Sequence, residues 1–380
     1  MKGSFLLFRG LLIVTLLLVT DYNAALFAGE VQRGSSGPGS AEWLRHWRAE
    51  NKVWRGVHVM VGNDDAASDL IAEVPKLGAL GVNALVLEVN YSLEFESHPE
   101  LRSASVLTKE QAARLARTCR EHGIRPIPLF NCLGHQSWEK NTGPLLTKYP
   151  GLDETPGQFP GNKGIYCRSW CPQHPEVNEI VFALLDEIIS AFEADAVHVG
   201  MDEVFLIGSP YCPRCKGDDP AKLFAKAVKD LHGHLVGQRK VEMLMWGDRL
   251  LDAAATGYGP WESATNGTHC AVDRIPKDII LCDWHYREPA EYPGKPADYV
   301  SIPFFLEKGF RVWPASWKSV PATKALLEAE RKHRRERLLG HLCTTWGAVK
   351  IGKLAEWPPI RAAMKKRNDR TLSRSPGHRG

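Results

Sequence analysis

The chain has 380 residues, 24% of them charged and 44% hydrophobic, with 33 Gly and 25 Pro. That balance excludes a disordered, collagen-like or coiled-coil chain, and the length suits one large domain or two modest ones. The final twenty residues hold seven Arg and Lys against Asp369 alone, more positive charge than the net +4 of the whole chain. The body is therefore slightly acidic, and nucleic-acid binding loses its electrostatic support.

Lys2 and Arg9 precede an apolar run from Leu11 to Val19, and Ala24, Ala25, Ala28 and Gly29 follow. A charged start, a short apolar core and a zone of small residues predict a secretory signal. Residues 1–28 are thus expected to direct export to the periplasm or the exterior, or to anchor the protein in a membrane if left uncleaved. Arg33 to Ser40 reads as a flexible linker within a 29–52 lead-in. The folded body is expected over 53–360, and 361–380 as a basic, solvated tail.

Short β-rich apolar runs then recur: Val57–Val61, Val82–Val89, Ile124–Phe130, Ala196–Gly200, Val241–Trp246, Ile279–Trp284, Phe310–Trp313 and Leu339–Thr344. Near-continuous apolar runs suit strands buried on both faces of a parallel sheet. Helical stretches separate most of them. Thr108-Lys-Glu-Gln111 has the form of a capping box, opening a helix that stops at Gly123. Residues 175–193 form a second helix, Asp219 caps a third, and Pro321 opens a fourth running to about Arg337. The sixth unit has no evident helix. Eight strand–helix units over some 300 residues predict a (β/α)8 TIM barrel in a single catalytic domain, with a doubly wound open sheet as the alternative.

In such a barrel the functional residues lie at the C-terminal ends of the strands. There the sequence offers Glu88, Asn90 and Tyr91; Asn131 and His135; Asp202 and Glu203; Trp246 and Asp248; Trp284 and Tyr286; Trp317; and Trp346. Aromatic faces stack on sugar rings, while carboxylates bind hydroxyls and move protons. The composition is that of a carbohydrate site. His198 lies within the fourth run and reads as a satisfied interior histidine, whereas His46, His122, His232 and His234 fall on helices with solvated faces.

Adjacent acids such as Asp202 and Glu203 cannot straddle a glycosidic bond from opposite faces. One can protonate the leaving oxygen while its neighbour holds an N-acetyl group of the substrate that attacks from the other side. Like charges in contact are expected to raise one of the two pKa values.

Nine cysteines in an exported protein suggest disulfides. The close pairs Cys167-x-x-x-Cys171 and Cys212-Pro-Arg-Cys215 alternatively supply four thiolates for zinc.

The segment His198-Val-Gly-Met-Asp202-Glu203-Val resembles the H-x-G-x-D-E signature of family 20 glycoside hydrolases, the β-N-acetylhexosaminidases. Leu87-Glu-Val-Asn-Tyr with His98-Pro-Glu-Leu101, Ile127-Pro-Leu-Phe-Asn131-Cys-Leu-Gly-His135, Leu244-Met-Trp-Gly-Asp248, Ala315-Ser-Trp-Lys318 and Thr344-Thr-Trp346 are similar to its second, third, fifth, seventh and eighth strands. The likeness spans about residues 55–350 and looks strongest to the hexosaminidase D-like branch.

The resemblance implies an exo-acting, retaining enzyme that removes terminal N-acetylglucosamine or N-acetylgalactosamine from oligosaccharides or glycoconjugates by substrate-assisted catalysis. Glu203 would be the acid/base, Asp202 would orient the acetamido group, and His135 would buttress the pair. Trp246, Trp284, Trp317 and Trp346 would wall the sugar, and Asp248 or Glu88 would take hydroxyls. It implies no metal and no organic cofactor; the charge balance argues for no nucleic-acid partner, and contact with a membrane is expected only through an uncleaved N-terminal segment.

The chain departs from the family pattern at Asn131, where many members have Asp, and at Ala348, where many have Glu. It lacks the usual seventh-strand Tyr, for which Tyr286 is the available replacement, and residues 30–52 are too few for the family's separate N-terminal α+β domain. These departures leave a glycosidase of other specificity, or a weak sugar-binding relative, as the alternatives.

Overall fold

A computed structural model describes residues 41–364. The expected export signal and most of the basic tail lie outside those residues. The tail boundary expected at 361 falls within a helix, Pro358–Met364. No helix among the described residues is long and apolar enough to cross a membrane.

Eight parallel strands close into a barrel in chain order: β1 (Trp54–Met60), β2 (Ala84–Glu88), β3 (Arg125–Cys132), β4 (Ala196–Gly200), β5 (Glu242–Trp246), β6 (Ile280–Trp284), β7 (Arg311–Ser316) and β8 (Gly340–Cys343). Closure runs through Trp54 opposite Gly340 and Val57 opposite Cys343. Each expected run corresponds to one strand, so the open-sheet alternative falls.

The near-continuous apolar runs divide between two cores because alternate side chains point to opposite faces. One face packs on the surrounding helices. The other fills the lumen with Val86, Ile127, Leu129, Leu244, Ile280, Trp313 and Leu342. Trp313 crosses so close to β1 that a Cβ at Gly56 would overlap its ring.

The helices flanking the strands include α1 (Ala41–Glu50), α2 (Asp64–Leu80), α3 (Lys109–Glu121), α4 (Pro175–Phe192), α5 (Pro220–His232), α6 (Ser301–Glu307) and α7 (Val320–Lys332). Their starts carry local caps: Asn63 accepts from the Ala66 N–H, Asp219 from Ala221 and Ser319 from Ala322. Such caps satisfy amide groups that the first turn leaves free.

The box at Thr108 is only half formed. Thr108 accepts from the Gln111 N–H at 3.2 Å, but its own N–H goes to Asp64 at 2.7 Å, and Gln111 reaches Ser68 instead. Helix α7 stops short of Arg337 because the Arg337 carbonyl is needed by the Val312 N–H of β7. The sixth unit does have a helix, the seven-residue α6, too short to leave a periodic signature. His234 is buried rather than solvated, 2.8 Å from Asp186 and stacked on Phe182.

At the N-terminal end of the barrel a charge network closes the lumen. Arg125, at the start of β3, meets Asp195 at 2.6 Å and Glu242 at 2.8 Å, and Glu242 also receives Arg311 and Arg48. The Arg125 guanidinium packs against the touching rings of Trp47 and Trp54, 5.4 and 5.2 Å from their centroids.

Candidate active site

The opposite end opens into a cavity of about 550 Å3, within the range of small-molecule sites. Its floor and walls come from the strand ends and from three long connections: residues 133–174 after β3, 201–219 after β4 and 247–279 after β5.

Strand β4 delivers the acidic pair. The chain leaves it through left-handed backbone at Gly200 (φ 65°), Met201 (φ 73°) and Glu203 (φ 50°). Glycine is required at 200, where a Cβ would collide with Asn131. Met201 and Glu203 hold a conformation that costs a non-glycine residue roughly 1–3 kcal/mol and that clusters at functional sites. Asn90, His135 and Trp346 share it.

Asp202 is buried and Glu203 half-buried, and both line the cavity. His135 stands between them, its Nε2 3.2 Å from Asp202 Oδ2 and 3.1 Å from Glu203 Oε2. Burial opposes a charge on His135, but the Asp202 carboxylate and the contact with Glu203 override it and raise the imidazole well above its ordinary pKa. Burial likewise opposes the Asp202 charge, and His135 reverses the outcome and lowers that pKa. The expected rise from like-charge contact is therefore not found at Asp202, because an imidazolium sits where repulsion would act.

The carboxyl that does rise is Asp248, to about 6, through burial, with the Asp202 and Glu203 charges adding to it against Arg249. Asp248 does not line the cavity. Its Oδ2 accepts the Glu203 N–H at 2.9 Å and Arg249 Nε at 2.6 Å. Arg249 in turn binds the carbonyls of Pro260 and Ser263 and lies over the Phe205 ring. The expected hydroxyl ligand is thus an anchor for the strained backbone of Glu203.

Three more expected contacts stand back from the cavity. Glu88 is surrounded by protein donors: His58 at 2.8 Å, Asn90 at 2.7 Å and Asn131 at 3.0 Å. Asn131 is held in that cluster and against Gly200. Trp246 is fully buried beneath the site, 4.5 Å from His198 and 5.7 Å from Trp346 between ring centroids. His198 is interior, as expected, but only half satisfied: the Gly200 N–H reaches its Nδ1 while Nε2 has no partner, and burial pushes its pKa down to about 3.

Trp284, Tyr286, Trp317 and Trp346 do line the cavity. The Tyr286 hydroxyl accepts the Trp346 indole N–H at 2.7 Å, and burial holds the phenol protonated. Trp317 donates to the Thr345 carbonyl at 3.0 Å.

The strand ends gave no sign of the rest of the lining. Tyr166 and Trp138 come from the connection after β3, Trp261 and Glu262 from that after β5, and Arg287, Lys318 and Ser319 lie just past β6 and β7. The Tyr166 ring packs edge-on against Trp261 at 4.9 Å, and burial with the Glu203 charge raises its phenol pKa. Glu262 is held by His285 and Tyr292. The signal available beforehand was the adjacency of Lys318 and Ser319 to Trp317; the loop residues have none at short range.

Among the described residues, two groups of side chains bring metal-ligand atoms within 4.8 Å of one another: His135, Asp202 and Glu203, and Glu154, Cys171, Cys212 and Cys215. In the first, a protonated His135 already supplies positive charge. The second replaces the expected four-cysteine set, because the Cys167 thiol faces the Glu203 carbonyl instead, at 3.5 Å. None of the nine cysteines is disulfide-bonded.

A family model described as the glycosyl hydrolase family 20 catalytic domain matches residues 61–295. The beta-hexosaminidase of Vibrio furnissii is 23% identical over 279 residues, which cover 69% of this chain and 42% of the relative. The chain therefore spans less than half the length of that curated relative. Among solved structures, Flavobacterium johnsoniae chitobiase superposes with a TM-score of 0.58 at 19% identity, covering 82% of this chain and 47% of the other. An exo beta-N-acetylglucosaminidase from Vibrio harveyi, solved in complex with N-acetylglucosamine, gives 0.56 at 15% identity, covering 82% and 53%. At such identities the likeness is one of fold.

Proposed function

The chain belongs to glycosyl hydrolase family 20, and on that premise we propose that it is an exo-acting, retaining β-N-acetylhexosaminidase. The observation that carries the reading is the Asp202–Glu203 pair at the wall of an aromatic cavity, with His135 in contact with both carboxylates.

In this reading Glu203 donates its proton to the glycosidic oxygen as the bond to the anomeric carbon breaks. The acetamido oxygen of the substrate forms a bond to that carbon from the opposite face, giving a cyclic oxazolinium ion. Asp202, kept ionised by His135, accepts the acetamido N–H and balances the positive charge on the ring. Glu203, now a carboxylate, takes a proton from water as the water oxygen attacks the anomeric carbon. The ring reopens with net retention, and Glu203 is again an acid.

Tyr286 is the donor we assign to the acetamido oxygen, since its hydroxyl already accepts from Trp346 and keeps a proton to give. Glu262 takes the place of the acid missing at Ala348 and binds a sugar hydroxyl from the other wall. Trp284, Trp317 and Trp346 pack against the ring.

A panel of aryl glycosides tests the reading. Turnover is expected only for β-glycosides carrying a 2-acetamido group, and a thiazoline mimic of the cyclised intermediate is expected to inhibit. Equal turnover of the 2-hydroxy glycosides overturns the substrate-assisted step and favours a barrel glycosidase of other specificity.

A further inference from the structure

Some distance along the same two connections from the acidic pair lies a cluster that the proposed chemistry does not use. Cys171 closes the connection after β3, and Cys212 and Cys215 sit in the connection after β4. All three are buried, as is Glu154, which is fully so. The Cys171 sulfur lies 3.4 Å from Cys215 and 3.4 Å from Cys212. One Glu154 oxygen accepts the Ser209 N–H at 2.8 Å, and the other, Oε2, has no partner.

Three sulfurs and a carboxylate oxygen converge, with no two of these atoms more than 4.8 Å apart. Around a tetrahedral zinc ion, with bonds of about 2.3 Å, neighbouring sulfurs lie about 3.8 Å apart, and a C-x-x-C turn is a usual source of two of them. A disulfide uses two of three thiols and leaves both the third sulfur and the carboxylate without a role. A carboxyl group taken wholly out of water either keeps its proton or meets a compensating charge, and no ion pair to Glu154 is found among the described residues. A divalent cation uses all four groups.

We propose that Glu154, Cys171, Cys212 and Cys215 form a structural site for zinc or a metal of like preference. The four protein ligands complete a tetrahedron, so the ion keeps no open position and takes no part in a reaction. Its effect is mechanical. The connection holding Glu154 and Cys171 also carries His135, Tyr166 and Cys167, and the one holding Cys212 and Cys215 also carries Asp202 and Glu203. The ion ties the two together beside the cavity they line. This inference stands on the cluster alone and does not depend on the glycosidase reading.

The test is metal analysis of the full chain, expressed with zinc in the medium and purified under reducing conditions without chelator. About one zinc per chain is expected by mass spectrometry of the metal, released when a mercurial blocks the thiols and read with a chromogenic chelator. Growth with cobalt should give the strong visible absorption of tetrahedral cobalt–thiolate. Cys212→Ser and Glu154→Gln should each lower zinc content severalfold, while Cys270→Ser, at an exposed cysteine elsewhere, should retain it. Metal-free wild-type protein overturns the proposal, whether its thiols titrate free or two of them are found oxidised. So does zinc that survives in both ligand variants.

Discussion

The two ends of the barrel hold similar groups in opposite conditions. At the N-terminal end Glu242 faces three arginines, Arg48, Arg125 and Arg311, and the Arg125 guanidinium packs against a pair of touching indoles. At the C-terminal end two carboxylates share a single imidazole, and the residues that present them sit in strained backbone beside an open cavity. Charge matched by charge makes a closure. Charge left short of partners makes a place where a ligand finishes the coordination, as expected where perturbed acids gather.

The contrast is broken most sharply at Glu203. Glu203→Gln should lower turnover of an aryl N-acetyl-β-glucosaminide by roughly 10²–10⁴-fold, the contribution of a positioned acid, with the urea midpoint unchanged. Unaltered turnover would remove Glu203 from the acid role. Next in size is Arg125→Met at the other end. It leaves Asp195 and Glu242 short of a buried partner and should cost about 3–5 kcal/mol of stability by denaturant titration. Activity per folded molecule should stay near wild type; if it falls in parallel with Glu203→Gln, the two ends are not separable.

An acid titration sharpens the comparison further. Although burial works against it, the Arg125 and Arg311 charges hold Glu242 down at about 2, below its ordinary 4.5. A folded pKa below the unfolded one gives stability that is complete above the unfolded value and lost as pH falls through the folded value. Unfolding free energy should therefore decline between about pH 4.5 and pH 2, and Glu242→Gln should flatten that decline. An unchanged slope would detach Glu242 from acid stability. The smallest effect is expected at Trp317→Phe, which keeps an aromatic face but loses the bond to the Thr345 carbonyl. A rise in KM of roughly two- to tenfold is anticipated, the worth of one hydrogen bond of about 0.5–1.5 kcal/mol.

The barrel was legible because strands packed on both sides must be largely apolar on both sides, so Ala196–Gly200 and its counterparts stand out as nearly continuous runs, broken only by isolated polar residues such as His198. Asp202, Glu203, His135 and the lining aromatics of β6 to β8 were legible because a strand end fixes where the next few residues go. That rule gives position along the barrel axis but not the direction a side chain takes. Trp246 points beneath the site and Asp248 behind Glu203, although one ends β5 and the other follows it by two residues. Pairings across long connections left no local trace: Glu154 meets Cys212 and Cys215 only after some sixty residues of chain. Tyr166 and Trp261 reach the cavity from within such segments and carry no marker of their own.

The indole of Trp313, lodged where Gly56 leaves room for it, has a bearing on traffic. Fully buried, it stoppers the cylinder above the arginine-rich base. A ligand lodged among Trp284, Trp317 and Trp346 would therefore rest on packed side chains rather than over an open bore.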